Sequence, residues 1–337
     1  MIKVTDHSTI YIGNAAEQLS LLLNSDRRVI AITDENVAKC HAALVEQFEH
    51  ITVPAGETTK SLACAERLYA ELIERHADRS TLLLAIGGGV VTDLTGFVAA
   101  TYMRGLHFGF VPTTLLAMVD AAIGGKNGVN LNRYKNMVGT FRQPDFVVCD
   151  VAMLKTLSDR DFRSGLAEVV KAAVIADRNL FEMLEQHSFG QLRCDVALLQ
   201  SCVEAAMRVK VDIVRADEFE SGLRRVLNLG HTVAHAIEQQ TSDFSHGEAV
   251  AIGVVEMCRV ALQHSLITEQ DAARIVALIE HFGFATAMPI GIGEALQIML
   301  ADKKREGDAL HLILPVSISS VKDIKVECAR LQEFVGM

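Results

Sequence analysis

Two regimes of hydrophobic patterning divide this chain. In the first half, short apolar runs alternate with amphipathic stretches. Arg28–Thr33 (RVIAIT) is a short apolar run, and Thr81–Ile86 (TLLLAI) and Phe108–Pro112 (FGFVP) have the length and apolar density of strands buried on both faces. Between them, Lys60–His76 sets Leu62, Ala65, Leu68, Leu72 and Ile73 in one stripe at helical spacing. Strand and helix signals in alternation predict parallel βαβ units. From about Ser158 the periodicity becomes helical, in segments near 159–176, 192–215, 223–239, 247–264 and 268–282. One apolar strand, His311–Pro315 (HLILP), interrupts it. The expected fold is α/β, with an N-terminal Rossmann-like parallel-sheet domain over 1–155 and a C-terminal mainly α-helical domain over 156–337. The boundary is expected within Asp150–Ser158. In such sheets ligands collect at the carboxyl ends of the strands.

Length and composition bound this picture. With 337 residues, half of them hydrophobic, two domains with sizeable cores are expected. No apolar run approaches the roughly 18 residues of a membrane span. The start, MIKVTDHST, shows no basic stretch followed by an apolar one, so a cytoplasmic protein is expected. A net charge of −10 argues against a nucleic-acid scaffold. Seven cysteines are scattered without a CxxC pair, which predicts buried, reduced thiols.

Several strings carry chemistry. Ile86-Gly87-Gly88-Gly89-Val90-Val91-Thr92-Asp93 follows the TLLLA run and opens a helix. Glycines at a strand-to-helix turn let backbone approach a ligand, and a helix N-terminus favours phosphate. The string is not a GxGxxG fingerprint, and a tight turn without a ligand is the bland alternative. Pro54–Glu57 (PAGE), followed by Lys60, is a weaker candidate of the same kind. Pro112-Thr113-Thr114, Asp120, Gly124-Gly125-Lys126 and Lys135-Asn136 follow; Gly-Gly-Lys lacks the spacing of a P-loop. Arg104, Lys126 and Lys135 have apolar or glycine neighbours, which predicts an enclosed anion site rather than a solvated face.

Further on, RVLNLGHTVAHAIE places His231 and His235 one helical turn apart, with Asn228 beside them and His246 a short distance on. Residues four apart share a helix face, so spacing alone predicts both histidines as ligands of a divalent ion such as zinc. Glu168 and Lys171, in GLAEVVKAAVIAD, offer an acidic partner and a cation one turn later. The remaining histidines have no such company.

The strings GGGVVTDLTGF, YMRG, VPTTLLAMVDAAIGGKNGVN, KNMVG, SGLAEVVK, ADEFESGLRRVLNLGHTVAHAIE, HGEAV and DKK occur in that order. Together they resemble dehydroquinate synthases of the sugar phosphate cyclase superfamily, over nearly the whole chain. The resemblance implies an NAD-dependent, zinc- or cobalt-dependent homodimer of the shikimate pathway. It would convert 3-deoxy-D-arabino-heptulosonate 7-phosphate to 3-dehydroquinate and phosphate. The implied steps are transient oxidation by NAD, phosphate elimination, reduction, ring opening and internal aldol closure. The resemblance places the metal ligands at Glu168, His231 and His246, so that His235 becomes a substrate and proton-handling residue. Substrate contacts fall on Arg104, Asp120, Lys126, Asn136, Lys171, Lys210, Arg224, Asn228 and one of Lys303 and Lys304, with Lys303 preferred. NAD contacts fall on Glu57, Lys60, Gly88, Gly89, Val90, Asp93, Thr113, Thr114 and Lys135. The chain departs from the usual pattern at Thr92 (Gly), Ala121-Ala122 (Ser-Ser) and Asn127 (Thr).

Three other readings share some of these features. A sibling cyclase would take sedoheptulose 7-phosphate, an amino analogue of the heptulosonate or glucose 6-phosphate; Gly124-Gly125-Lys126 and Arg224 favour the carboxylate-bearing substrate. An iron-type alcohol or glycerol dehydrogenase would not need so many phosphate-binding cations. A non-catalytic metal- or nucleotide-binding module would not need Lys126, Lys171, Lys210 and His235 as a set.

Overall fold

A computed structural model of the chain describes residues 1–23, 26–132, 134–291, 294, 295, 298 and 308–336. Lys303 and its alternative Lys304 lie outside the described residues. The chain forms two compact units, Met1–Ser158 and Asp159–Met337.

The first unit is built on a seven-stranded sheet. Its strands are β1 (Ile2–Thr5), β2 (Ser8–Ile12), β3 (Val29–Asp34), β4 (Glu49–Val53), β5 (Leu82–Gly87), β6 (His107–Pro112) and, after an excursion, β9 (Phe146–Cys149). The excursion is a separate hairpin of β7 (Lys126–Leu131) and β8 (Tyr134–Phe141). The order across the sheet is β1-β2-β9-β6-β5-β3-β4. All pairings are parallel except β1 with β2. Every residue of β5 is buried, as its unbroken apolar run requires of a strand covered on both faces. The RVIAIT, TLLLAI and FGFVP runs are β3, β5 and β6, and the predicted stripe is the helix Leu62–Glu74, capped by Ser61 Oγ on the Cys64 N–H. After β4 the chain steps back across β3 to make β5, so the strand order reverses between β3 and β5. The carboxyl end of β5, where the glycines lie, is therefore at a topological switch point.

The second unit is mainly helical: Asp159–Ala176, Arg178–Gln186, Phe189–Cys194, Val196–Ala216, His231–Gln240, His246–Gln263 and Glu269–His281. The expected 192–215 segment is two helices, because Asp195 caps the second by accepting from the Ala197 and Leu198 N–H groups. The expected 223–239 helix is also divided. A 3-10 turn over Leu223–Asn228 ends before Gly230, whose left-handed φ of 77° interrupts the helix and starts His231–Gln240. HLILP is not a lone strand: it lies in β10 (Ala309–Ser317), paired antiparallel with β11 (Ser320–Glu327).

The seven cysteines form no disulfide, but only Cys149, Cys202 and Cys258 are buried, while Cys40 and Cys194 are exposed. The expectation of uniform burial is corrected, because several cysteines sit on the solvent side of amphipathic helices and at helix ends. No described helix is long and apolar enough to cross a membrane.

Candidate functional site

In the first unit, the helix Gly89–Thr101 opens directly from β5, with Gly88 as its N-cap and no side-chain cap. Its first N–H groups therefore remain available to a ligand. A Cβ on Gly88 would lie 2.9 Å from Thr114 Cγ2, and one on Gly89 would lie 3.2 Å from Ala121 Cβ. The turn is thus walled by Thr114 and Ala121, and Val90 stands in the first helical turn. The Thr113 N–H donates to Gly87 O at 2.9 Å, fastening the end of β6 to the same turn. Asp93, one turn into the helix, forms an ion pair with the buried ammonium of Lys60. Burial pushes the Asp93 carboxyl above its usual range, with the Lys60 charge opposing.

The hairpin reaches this group through Asn130. Its Nδ2 donates to Glu57 Oε1 at 2.8 Å, its Oδ1 accepts from the Asn136 N–H at 2.9 Å, and its own N–H donates to Lys60 O at 2.8 Å. Glu57, Lys60, Asp93 and Asn136 are consequently linked, and Lys135 precedes Asn136 on β8. Asp120 lies in a π-helical turn, Ala117–Ala121. Arg104, Lys126 and Lys135 are all exposed, which corrects the expectation of an enclosed cluster. Arg104 sits in a tight turn at φ 67°, Lys126 begins β7, and Lys135 lies on β8, most of whose residues are exposed.

The unusual residues are also placed. Thr92 is fully buried and donates from Oγ1 to Gly89 O at 3.1 Å, within its own helix. Asn127 is buried and donates to Gly125 O at 3.0 Å and Arg142 O at 2.9 Å, holding the Gly-Gly-Lys turn. Ala122 is buried.

In the second unit, donor atoms of Glu168, His231 and His246 lie within 4.8 Å of one another. Glu168 is 2% exposed and comes from the middle of Asp159–Ala176. Nε2 of His246 stands 3.4 Å from Glu168 Oε1, and Nε2 of His231 stands 3.8 Å from it. Both rings are oriented from behind: His231 Nδ1 is 3.2 Å from Leu229 O, and His246 Nδ1 is 3.3 Å from Glu238 Oε1. With Nδ1 engaged by those acceptors, each Nε2 is turned towards the carboxylate. Burial disfavours the charged His246 ring, but the Glu168 and Glu238 carboxylates more than offset it and push its pKa up to about 9.

Close backbone approach makes this convergence possible. A Cβ on Gly253 would lie 2.1 Å from Gly230 O, so the His231 and His246 helices touch there without side chains. A Cβ on Gly247 would lie 2.1 Å from Ser164 O, and the Gly247 N–H donates to Ser164 Oγ at 3.0 Å. That contact seats His246 against the helix of Glu168.

Lys171 forms an ion pair with Glu168 one turn away, and both are buried. Lys210 and Arg224 are also buried, an uncommon state for cations that demands compensating polar partners. Arg224 Nη1 donates to Glu218 O at 2.5 Å. Its loop is organised by Asp217, which accepts from the N–H groups of Ser221, Gly222 and Arg224 at 2.8, 2.7 and 3.0 Å. Asn228 Nδ2 donates to Glu220 Oε1 at 2.9 Å. The His235 ring lies edge-on to His231, with centroids 5.8 Å apart, and is outside the three-residue donor group. Asn130, Asp217, Glu220 and Glu238 escaped the sequence reading. Only Glu238 carried a signal, since it lies seven residues after His231 on the same helix face.

A carboxylate and two oriented imidazoles form a donor set that fits a zinc-like ion with further coordination positions left for water or substrate. The glycine turn and its bare helix N-terminus fit a dinucleotide pyrophosphate.

Comparison with known proteins accords with both. The family model described as 3-dehydroquinate synthase N-terminal matches residues 50–164, and that described as 3-dehydroquinate synthase C-terminal matches 165–305. A 3-dehydroquinate synthase from Desulforamulus reducens is 41% identical over 335 residues, covering 94% of this chain and 93% of that protein. One from Rippkaea orientalis is 40% identical, covering 95% and 90%. Among solved structures, 2-epi-5-epi-valiolone synthase from Streptomyces hygroscopicus subsp. jinggangensis, with NAD+ and Zn2+ bound, superposes with a TM-score of 0.88 at 25% identity. It covers 97% of this chain and 95% of that one. A 2-deoxy-scyllo-inosose synthase complexed with carbaglucose-6-phosphate, NAD+ and Co2+ shares the fold, with a TM-score of 0.87 at 24% identity and the same coverage. With both halves matched in order and two-fifths identity sustained along its length, the chain belongs to the 3-dehydroquinate synthase family.

Proposed function

We propose that this protein converts 3-deoxy-D-arabino-heptulosonate 7-phosphate to 3-dehydroquinate and phosphate, a step of the shikimate pathway. The observation that carries the reading is the convergence of two oriented imidazoles on buried Glu168, in a chain 41% identical to such a synthase over 94% of its length. Glu168, His231 and His246 would hold a zinc or cobalt ion. Glu57, Lys60, Gly88, Gly89, Val90, Asp93, Thr113, Thr114 and Lys135 would hold NAD. When bound, the metal supplies a Lewis acid for substrate hydroxyls and NAD a reversible hydride acceptor, so no net redox change accumulates.

The protein's own groups bind, orient and move protons. Lys171, Lys210 and Arg224 are cations already withdrawn from water, so they bind carboxylate or phosphate oxygens more strongly than surface cations would. Arg104, Lys126 and Asn136 add exposed donors, and Asp120 and Asn228 orient hydroxyls. His235 exchanges a proton at its ring nitrogen while remaining outside the metal set. Stabilising the departing phosphate by fixed cations lowers the barrier to elimination, because charges already in place need no reorganisation. The active form is a cytoplasmic homodimer; seven cysteines outside any disulfide support a reducing compartment.

The test is incubation of purified protein with the heptulosonate phosphate, catalytic NAD and zinc, following phosphate and dehydroquinate together. Equal release of both, without lasting NADH absorbance, is the expected outcome. Stoichiometric NADH would mark a dehydrogenase instead. Parallel reactions with sedoheptulose 7-phosphate and glucose 6-phosphate separate the sibling cyclases.

A further inference from the structure

We infer that Asn130 is a positioning residue that joins the nucleotide-contacting and substrate-contacting segments of the first unit. This rests on the reading of Glu57 as an NAD contact and Asn136 as a substrate contact.

Asn130 uses each end of its amide on a different segment. The donor end, Nδ2, reaches Glu57 Oε1 at 2.8 Å, on the 3-10 turn Glu57–Thr59 that follows β4. The acceptor end, Oδ1, takes the Asn136 N–H at 2.9 Å, across the β7–β8 turn. Its backbone is fixed as well: the Asn130 N–H donates to Lys60 O at 2.8 Å, and Ser61 and Asn130 form a parallel bridge. The amide therefore spans from the turn at Glu57 to Asn136 with one rigid planar group.

The residue type is required by this geometry. A carboxylate at 130 keeps the acceptor for Asn136 but turns an oxygen towards Glu57, replacing a charge-assisted hydrogen bond with like-charge repulsion. A hydroxyl or methyl is too short to reach both partners. Asn136 adds a second constraint, since its φ of 53° is a conformation most side chains avoid. A hydrogen bond to its own N–H holds it there. Cutting the Oδ1 contact would free Asn136 to relax towards ordinary strand geometry and carry its side chain away.

The two ends can thus be cut separately. In Asn130→Asp the Glu57 end fails while the Asn136 end stays; in Asn130→Ala both fail. NAD affinity is read by calorimetry on the purified protein, and substrate KM from phosphate release at saturating NAD. Asn130→Asp is expected to weaken NAD binding about tenfold, the worth of a hydrogen bond to a charged group, with substrate KM little changed. Asn130→Ala is expected to shift both. Adding Asn130→Asp to Glu57→Ala should weaken NAD binding no further, because the effect travels through Glu57. Unfolding followed by circular dichroism accompanies each variant. If a single variant does not fold, the double variant Asn130→Asp with Glu57→Gln restores a donor facing a carboxylate and should bind NAD more tightly than Glu57→Ala with Asn130→Asp. Wild-type NAD affinity in Asn130→Asp, equal shifts of NAD affinity and substrate KM in it, or full additivity with Glu57→Ala would each overturn the inference. Failure of the wild-type protein itself to bind NAD would instead reject the functional reading on which it rests.

Discussion

His246 is held by Glu238 through Nδ1, at 3.3 Å, from the side of the ring opposite the metal-donor group. The carboxylate fixes the tautomer and raises the basicity of Nε2, and loss of such outer partners typically costs 10–100-fold in metal affinity. Glu238→Ala should therefore weaken zinc binding by about 10–100-fold, read by competition with a chelator. Glu238→Gln keeps an acceptor oxygen and should lose less. Equal affinity in Glu238→Ala and wild type would remove Glu238 from this role.

His235 and His246 are expected to fail in different ways. His246→Ala should lose both metal and turnover, as should His231→Ala and Glu168→Ala, because a three-ligand site has no redundancy. His235→Asn should keep its metal and lose turnover by about 10²–10⁴-fold, the range of acid–base contributions. Metal analysis alongside the phosphate assay decides it. An empty His235→Asn with a loaded His246→Ala would exchange the two roles.

Gly253 offers a test of the helix contact rather than of any ligand. An alanine methyl there would stand 2.1 Å from Gly230 O, so the His231 and His246 helices must separate. Overpacking of this kind costs about 1–3 kcal/mol. Gly253→Ala should lower the melting temperature and weaken zinc binding although every donor is retained. A variant with wild-type zinc affinity would show that the approach at Gly253 does not set the donor spacing.

Asp217 gives the expected pH dependence of the Arg224 loop. The Arg224 N–H, against the opposing effect of burial and aided by Ser221 and Gly222, holds the Asp217 carboxyl well below the usual carboxylate range. A folded pKa below the unfolded one means that its stabilisation is complete above the unfolded value and is lost as pH falls through the folded one. Asp217→Asn turns an amide N–H towards these backbone donors and should lower the melting temperature at neutral pH. The gap between variant and wild type should hold down to about pH 4, the unfolded aspartate value, and shrink only below it. A gap that closes between pH 7 and pH 5 would assign it to another group.

What the sequence made legible follows from how each element is buried. β3, β5 and β6 are covered on both faces, so their apolar runs stand out, whereas β11 (SVKDIKVE) has a single buried residue and no apolar run. The β7–β8 hairpin is rich in Gly, Asn and Lys, and its β8 strand is largely exposed, so its sequence carries motifs but no strand signal. At the metal centre, helical spacing singled out His231 and His235, which share a face. It offered Glu168, sixty-odd residues earlier, as an acidic partner without showing that helix packing brings it to His231; the family resemblance made it a ligand and set His235 aside. Asn130 works through the Glu57 carboxylate and the Asn136 N–H, and Asp217 through backbone N–H groups of its loop, and hydrophobic patterning has no signal for either.

The position of β9 between β2 and β6 has a consequence for how the protein matures. During synthesis β1 and β2 emerge first, yet β2 has only β1 and β9 as neighbours in the sheet. The amino-terminal hairpin must therefore wait as an open edge until Cys149 has left the ribosome, and its joining is the last pairing of that sheet. Glu168, the earliest of the three candidate donors, emerges only after this, and His246 later still. A nascent chain can thus complete its first unit before it exposes any of the groups that would capture zinc, and metal loading becomes a late event of biogenesis.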